Sequence, residues 1–266
     1  MPATLPFDFF RMILVFRYRE LIRNLVLKDL KLKYRDSALG FLWSLANPLL
    51  LILVYAIVFT HMLRSEIKNF PYFLLVGILP WNFFSQSLMM CTGSIVDNGG
   101  LIRKVWLPAE VFPLSTVLFN LVQFLLALVV LMPIAAFIFG ISFSWTLIAF
   151  LPLLFLHAVF TLGLGYIIST LTVFYRDVRH FIEIFMMLLF WLTPIVYDIQ
   201  SIPGSMRRFI LANPLSLFIS GYQEIFYYQR IPASFHFLVL TLLTLTALGL
   251  GYWCFSSYKA RFPEEV

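Results

Sequence analysis

Lys28, Lys31, Lys33 and Arg35 place four cations within eight residues, just ahead of an apolar run that opens at Leu39. Lysine and arginine keep their charge near neutral pH, so a cluster of this kind binds phosphates or an acidic partner surface rather than moving protons. Helical spacing sorts the segment: Ile22, Val26, Leu30 and Tyr34 share one face, while Asn24, Lys28, Lys31 and Arg35 fall on nearly the opposite one. Such a helix lies on the inner membrane surface with its basic side toward phosphates or a partner protein. An ordinary positive anchor for the following span would read the same way.

The residue sets that catalysis needs are not assembled elsewhere. His61, His157, His180 and His236 are scattered over different segments, and His157, in mid-span, suits packing better than ligation. Neither G-x-S-x-G nor H-E-x-x-H occurs, and G-x-x-x-x-G-K-[ST] is absent, so the chain offers no phosphate-cradling loop for ATP. Glu110 and Glu183 sit near the inner ends of spans, not in the series that a proton relay requires, which argues against an ion-driven pump. Cys91 and Cys254 fall in or at the ends of spans, so neither a disulfide nor a metal site is expected.

These residues must be positioned by membrane helices. Hydrophobic residues make up 61% of the chain and charged ones 12%, against roughly 45–50% and about 25% in soluble domains. Five stretches reach the roughly 20 apolar residues a spanning helix needs: 39–60, 70–91, 110–139, 145–174 and 235–255. A sixth, 181–197, has 17 residues and contains Pro194, so at about 1.5 Å per residue it is a broken or thin-membrane span. The expected fold is an all-α membrane protein with six transmembrane helices. An N-terminal amphipathic interface segment, 1–38, precedes the spans and a tail, 256–266, follows them. Of the 19 Lys and Arg, 14 fall in 1–38, 92–109, 175–180 and from 256 onward, which places both termini in the cytoplasm. No cleavable signal peptide is expected. The net charge of +6 sits beside the spans, where anionic lipids account for it, and nucleic acid is not an expected partner.

Three polar intervals stand out. In 92–110, Asp97, Asn98, Gly99 and Gly100 signal a turn before a short amphipathic run ending at Pro108, either a slack connector or a short helix shown to a cytoplasmic partner. The tight loop 174–180 sets Arg179 one helical turn before Glu183, an expected pair that spares the carboxylate from entering the membrane alone. Interval 198–234 contains "NPLSLFISGYQEIFYY", too apolar for a solvated loop and too short to cross, which predicts short external helices dipping back toward the membrane. The 30 Phe, 12 Tyr and 6 Trp could form interfacial belts or line a pore where rings stack on sugar faces.

Four stretches in one order carry a resemblance: "LKDLKLKYRDSALGFLWSLANPLLLILVYAIVF", "LIRKVWLPAEVFPLS", "FYRDVRHFIEIFMMLLFWLTPIVY" and "NPLSLFISGYQEI". Together they resemble the polysaccharide-export branch of the ABC-2 type permeases, the membrane subunits that export O-antigen, capsular polysaccharide or teichoic acid. The resemblance implies a homodimer of six-span subunits resting on two copies of a cytoplasmic ABC ATPase subunit, which binds ATP and Mg, while this chain binds no cofactor. A lipid-linked polysaccharide would pass along the dimer axis. It further implies that Ser37, Leu39, Gly40, Trp43 and Pro48 form the inner entry to the first span. Lys28, Lys31, Lys33 and Arg35 would meet the lipid diphosphate at this inner gate. Channel contacts would be Trp43, Tyr55, Phe59, Trp191 and Tyr197, and ATPase coupling would involve Gly99, Arg103, Lys104, Trp106, Arg176 and Asp177. In the family an Arg often follows the "NP" turn by about ten residues, where this chain has Gln223 and Glu224. The resemblance makes the dipping helices at 213–228 an outer gate, and this departure argues against an anion-binding role for it, unless Arg207 and Arg208 substitute. Alternatives are an ABC-2 permease for a drug or lipid and a membrane-embedded glycosyl- or acyltransferase, the latter lacking convergent carboxylates.

Overall fold

A computed structural model describes residues 18–35, 42–62, 67–104, 107–142 and 144–266. Among them the chain is helical, without strands. In chain order the helices are α1 Arg19–Tyr34, α2 Leu42–Ile57, α3 Phe70–Gly93, α4 Gly99–Lys104, α5 Val111–Phe139, α6 Phe150–Phe174, α7 Val178–Trp191, α8 Gly204–Leu211, α9 Pro214–Tyr222, α10 Ser234–Tyr258 and α11 Phe262–Glu265.

Four helical stretches among the described residues are long and apolar enough to cross a bilayer: Phe70–Gly93, Val111–Phe139, Trp145–Phe174 and Ser234–Glu265. They match the expected stretches 70–91, 110–139, 145–174 and 235–255. The first expected span, 39–60, overlaps α2 and a wider turn over Val58–Met62, but the apolar helix there, Leu49–Thr60, is shorter than those four among the described residues. The sixth stretch is shorter than expected: α7 stops at Trp191 after 14 residues, about 21 Å, and turns carry the chain through Pro194. Proline cannot donate to the helix and holds its predecessor out of the α region, so 181–197 is not one continuous span. Residues 256–266 prolong α10 to Tyr258 and then fold into a turn and α11, with Phe262 wholly buried on Phe255, 5.1 Å between ring centres.

α3 is the centre of the bundle. It is the least hydropathic of the four long stretches, yet 72% of its apolar window is buried, against 22% for Ser234–Glu265. Packing, not apolarity, therefore sets its place, with α2, α5, α6, α7 and α9 around it. α5 ends where Gly140 takes φ +65, and the Ile141 amide reaches back to the Ala136 carbonyl at 2.8 Å, the left-handed stop that glycine adopts without a Cβ penalty. α6 and α10 lie almost backbone to backbone. A Cβ on Gly251 would stand 2.0 Å from the Gly163 carbonyl oxygen, and one on Gly163 would stand 2.6 Å from Ala247 backbone atoms. Small residues permit such close approach between membrane helices, whose association rests largely on dispersion contact.

Along α1, Ile22 and Leu25 are buried, Leu21, Val26, Leu30 and Tyr34 half-buried, and Asn24, Leu27, Lys28, Lys31, Leu32 and Arg35 exposed. Its apolar face packs on protein. Ile22 and Leu25 join a second core with Val111, Phe112, Tyr166, Phe255 and Phe262. Twelve residues farther along α5, Gln123 accepts hydrogen bonds from Lys33 and Tyr34. Eleven residues separate Ile22 from Lys33, so both helices advance by roughly 17–18 Å and α1 runs beside the first turns of α5.

Candidate functional site

Four of the five expected channel aromatics come together where α2 meets α7. Tyr55 stacks on Phe190 with ring centres 6.1 Å apart and meets Phe59 edge-on at 6.2 Å; Phe59 in turn stacks on Phe70 at 5.3 Å. Phe190 also meets Trp191 and Trp81 edge-on, each at 5.5 Å, and the Tyr197 hydroxyl donates to the Trp191 carbonyl at 3.1 Å. Trp191 is 54% exposed and Tyr197 half-buried. This leaves a partly accessible aromatic surface of the kind that stacks on apolar sugar faces. Trp43 is separate. It lies on α2 twelve residues before Tyr55, more than three turns away.

The basic stripe divides. Lys28 lies 3.8 Å from Asp29, whose carboxyl is raised by burial against the opposing pull of Lys28, and Lys31 stays exposed. Lys33 instead reaches the Gln123 amide oxygen at 2.5 Å and lies over the Phe119 ring at 5.7 Å; partial burial of its ammonium lowers its pKa from the ordinary lysine range. Lys33 and Trp43 border one cavity of about 370 Å³ between α1, α2, α3 and α5. Arg35 is exposed just past the end of α1. Ser37, Leu39, Gly40 and Trp106 lie outside the described residues, as does the side chain of Pro48.

α9, which carries the "NP" segment, packs against α3, α6 and α10. Asn213 caps it, its side-chain oxygen accepting from the Leu215 amide at 3.0 Å, and Pro214 fills the first helical position. Phe218 stacks on His157 at 4.7 Å, and the Tyr222 hydroxyl lies 3.3 Å from His157 Nδ1. Gln223 is buried and donates to the Pro194 carbonyl at 2.6 Å, while Glu224 pairs with Arg230 at 3.0 Å. Gln223 thus ties this segment to the turn at Pro194, Glu224 makes a local pair, and Arg207 and Arg208 are exposed.

The sequence matches the family model of the ABC-2 type transporter over residues 20–227. The chain belongs to that family. It is 37% identical to the O-antigen export system permease protein RfbA of Myxococcus xanthus over 254 residues, 95% of this chain and 97% of that one. A Klebsiella pneumoniae protein of the same name is 35% identical over 89% of this chain and 91% of its own length. The polysialic acid transport protein KpsM of Escherichia coli is 24% identical over 86% of this chain and 90% of its own.

An ABC-2 permease is a multi-pass membrane protein, and the residues expected to couple it to an ATPase cluster at the end of the bundle where α4 lies. Arg103 and Lys104 are exposed on the last turn of α4, and Arg176 and Asp177 are exposed at the start of α7. Gly99 is buried against Val266, whose Cβ would lie 2.9 Å from a Cβ added there, so α11 backs α4. The expected Arg179–Glu183 pair does not form. Arg179 turns to Asp97, 3.6 Å away, and its Nε donates to Thr92 at 3.4 Å, while Glu183 lies 3.4 Å from His180. Helical spacing offered Arg179 a local partner. The fold offered instead a carboxylate in the turn after α3, so the contact, largely exposed, runs between the two polar loops.

Proposed function

We propose that this chain is the membrane-spanning subunit of an ATP-driven exporter. Its cargo is an undecaprenyl-diphosphate-linked polysaccharide such as O-antigen, moved across the bacterial inner membrane. The observation that carries this reading is near full-length similarity to two O-antigen export permeases. The stacked aromatic surface of Tyr55, Phe59, Phe190 and Trp191 supports it chemically. In this reading α2 and α7 complete six spans, both termini are cytoplasmic, the chain works as a homodimer, and two ABC ATPase subunits supply ATP hydrolysis. Lys28, Lys31, Lys33 and Arg35 meet the lipid diphosphate, and α8 and α9 form the outer gate. Export of a capsular polysaccharide is the second reading, favoured by weaker similarity to KpsM and to the capsule polysaccharide export inner-membrane protein CtrC of Neisseria meningitidis, 23% identical over 93% of this chain.

Deleting the gene in a glycan-producing strain should remove the surface polysaccharide and accumulate its lipid-linked form on the cytoplasmic side. In proteoliposomes, transport should require both ATPase subunit and ATP; transport by this chain alone would overturn the reading. The coupling role of α4 has its own test. Reversing its charges with Arg103→Asp and Lys104→Asp should leave a folded dimer whose glycan-stimulated ATP hydrolysis falls at least about tenfold, the scale of a charge reversal at a docking surface. Full stimulated hydrolysis in the purified double variant would remove α4 from the contact.

A further inference from the structure

The cavity between α1, α2, α3 and α5 is lined by amides whose hydrogen-bonding capacity the fold leaves partly unused. Asn82 is near the middle of α3, and Gln86 follows one turn later; neither side chain makes a hydrogen bond among the described residues. Gln123 is 92% buried, its amide oxygen accepting from Lys33 and Tyr34, while its Nε2 is buried without a partner. Asn120 donates to the Thr116 carbonyl at 3.0 Å and to the Met90 sulfur at 3.4 Å, leaving its own amide oxygen without a bond among the described residues. Counting at about 1.5 Å per residue, Asn82 and Gln86 lie roughly 16 and 10 Å in from Gly93, and Gln123 about 18 Å in from Val111. These four amides therefore stand at membrane depth. Gln86 is exposed and Asn82 half-buried, but the buried Gln123 Nε2 has no partner, which is costly at that depth and marks a cavity filled by something able to hydrogen-bond.

We infer that this cavity is a binding site for the first sugar and its phosphate in the lipid-linked glycan, set apart from the aromatic surface of α2 and α7. The inference rests on the glycan-export reading above. Four amides, two of them (Asn120 and Gln123) held by bonds to the protein, supply both donors and acceptors, which is what the hydroxyls of a pyranose ring demand, and the exposed indole of Trp43 supplies a face for the ring to stack on. Lys33 adds the cation that a neighbouring phosphate needs. Gln123 holds Lys33 in place, so the charge and the amide cluster come as one unit. A volume of about 370 Å³ falls in the lower part of the range for small-ligand pockets, roughly 300–1,000 Å³. It admits one sugar phosphate, not a polymer. A resident phosphatidylglycerol headgroup offers the same phosphate-plus-hydroxyl chemistry, so the test separates the two.

The test uses the permease assembled with its ATPase in nanodiscs, with or without phosphatidylglycerol. The probes are farnesyl diphosphate and a farnesyl diphosphate bearing one hexose. Asn82→Leu with Gln86→Leu keeps side-chain bulk and removes amides that hold nothing else. It should weaken the sugar-bearing probe at least about tenfold and leave the sugar-free probe unchanged. Lys33→Gln should weaken both. Equal binding of the sugar-bearing probe to wild type and the double Leu variant would overturn the inference, as would loss of its binding whenever phosphatidylglycerol is present. Glycan export in cells separates the two levels. A chain that exports no glycan at all fails the functional reading, whereas unimpaired probe binding and export in the Leu variant sink only the site.

Discussion

Gly163→Ala, a single added methyl group, should destabilise the chain where the same change usually helps a helix. Alanine is favoured over glycine in helices by about 0.8–1.0 kcal/mol, so the sign of the effect is the diagnostic. At position 163 the new carbon would stand 2.6 Å from the Ala247 carbonyl group and the Leu248 nitrogen, and at 251 it would stand 2.0 Å from the Gly163 carbonyl oxygen. Backbone atoms cannot rotate aside as a side-chain tip can. α10 would have to move off α6, and Thr244 would lose the 3.4 Å hydrogen bond it donates to the Leu156 carbonyl. Overpacking of this kind costs about 1–3 kcal/mol even where side chains can adjust, and helix association in a bilayer rests on the contacts being opened. The expected result is an apparent Tm lowered by several degrees for Gly163→Ala, a larger fall for Gly251→Ala, and poor recovery of monodisperse protein for valine at either site. Gly249 is the control. A Cβ there meets nothing within 4 Å, so Gly249→Ala should match or slightly exceed the wild type. Equal Tm values for the 163, 249 and 251 alanine variants would show that the helices are not held this tightly.

That crossing was hidden in the sequence, although both helices were plain in it. Residues 145–174 and 235–255 announce themselves because a long uncharged run has few other uses, and the same holds for 70–91 and 110–139. Which run faces which is a pairwise property that no single run records. Where a helix stops depended on local chemistry: Gly140 and the Asn213–Pro214 cap were readable, and Pro194 warned that 181–197 would break. The four ordered motifs carried the family. They named Tyr55, Phe59, Trp191 and Tyr197, which the structure brings together, but passed over Phe190, the ring that joins them. Asn120 and Gln123 escaped notice for a related reason. Each is one amide within an apolar stretch, and its meaning appears only when Asn82 and Gln86 from α3 stand opposite it. Local spacing also misled at Arg179, where a carboxylate one turn along the same helix looked a better partner than Asp97 from a different loop.

Lys259→Met should be the most damaging charge change at the end of the bundle where α4 lies. Glu110 is 8% exposed at the start of α5, and its Oε1 accepts a hydrogen bond from Lys259, itself mostly buried at the end of α10. Removing the lysine strands a buried carboxylate, which typically costs about 3–5 kcal/mol, whereas replacing both partners by neutral groups of similar shape costs far less. Glu110→Gln combined with Lys259→Met should therefore recover most of the stability that Lys259→Met loses, a strong coupling in a double-mutant cycle. The damage should spread to function. Lys259 leads directly into Phe262, which packs with Ile22 and Phe112 in the second core, and Val266 lies behind Gly99 on α4. Loosening Lys259 thus loosens the support beneath the residues proposed to meet the ATPase. The double variant should regain glycan-stimulated ATP hydrolysis together with its thermal stability. If Lys259→Met alone keeps wild-type values of both, the pair is surface decoration and α4 is held by something else.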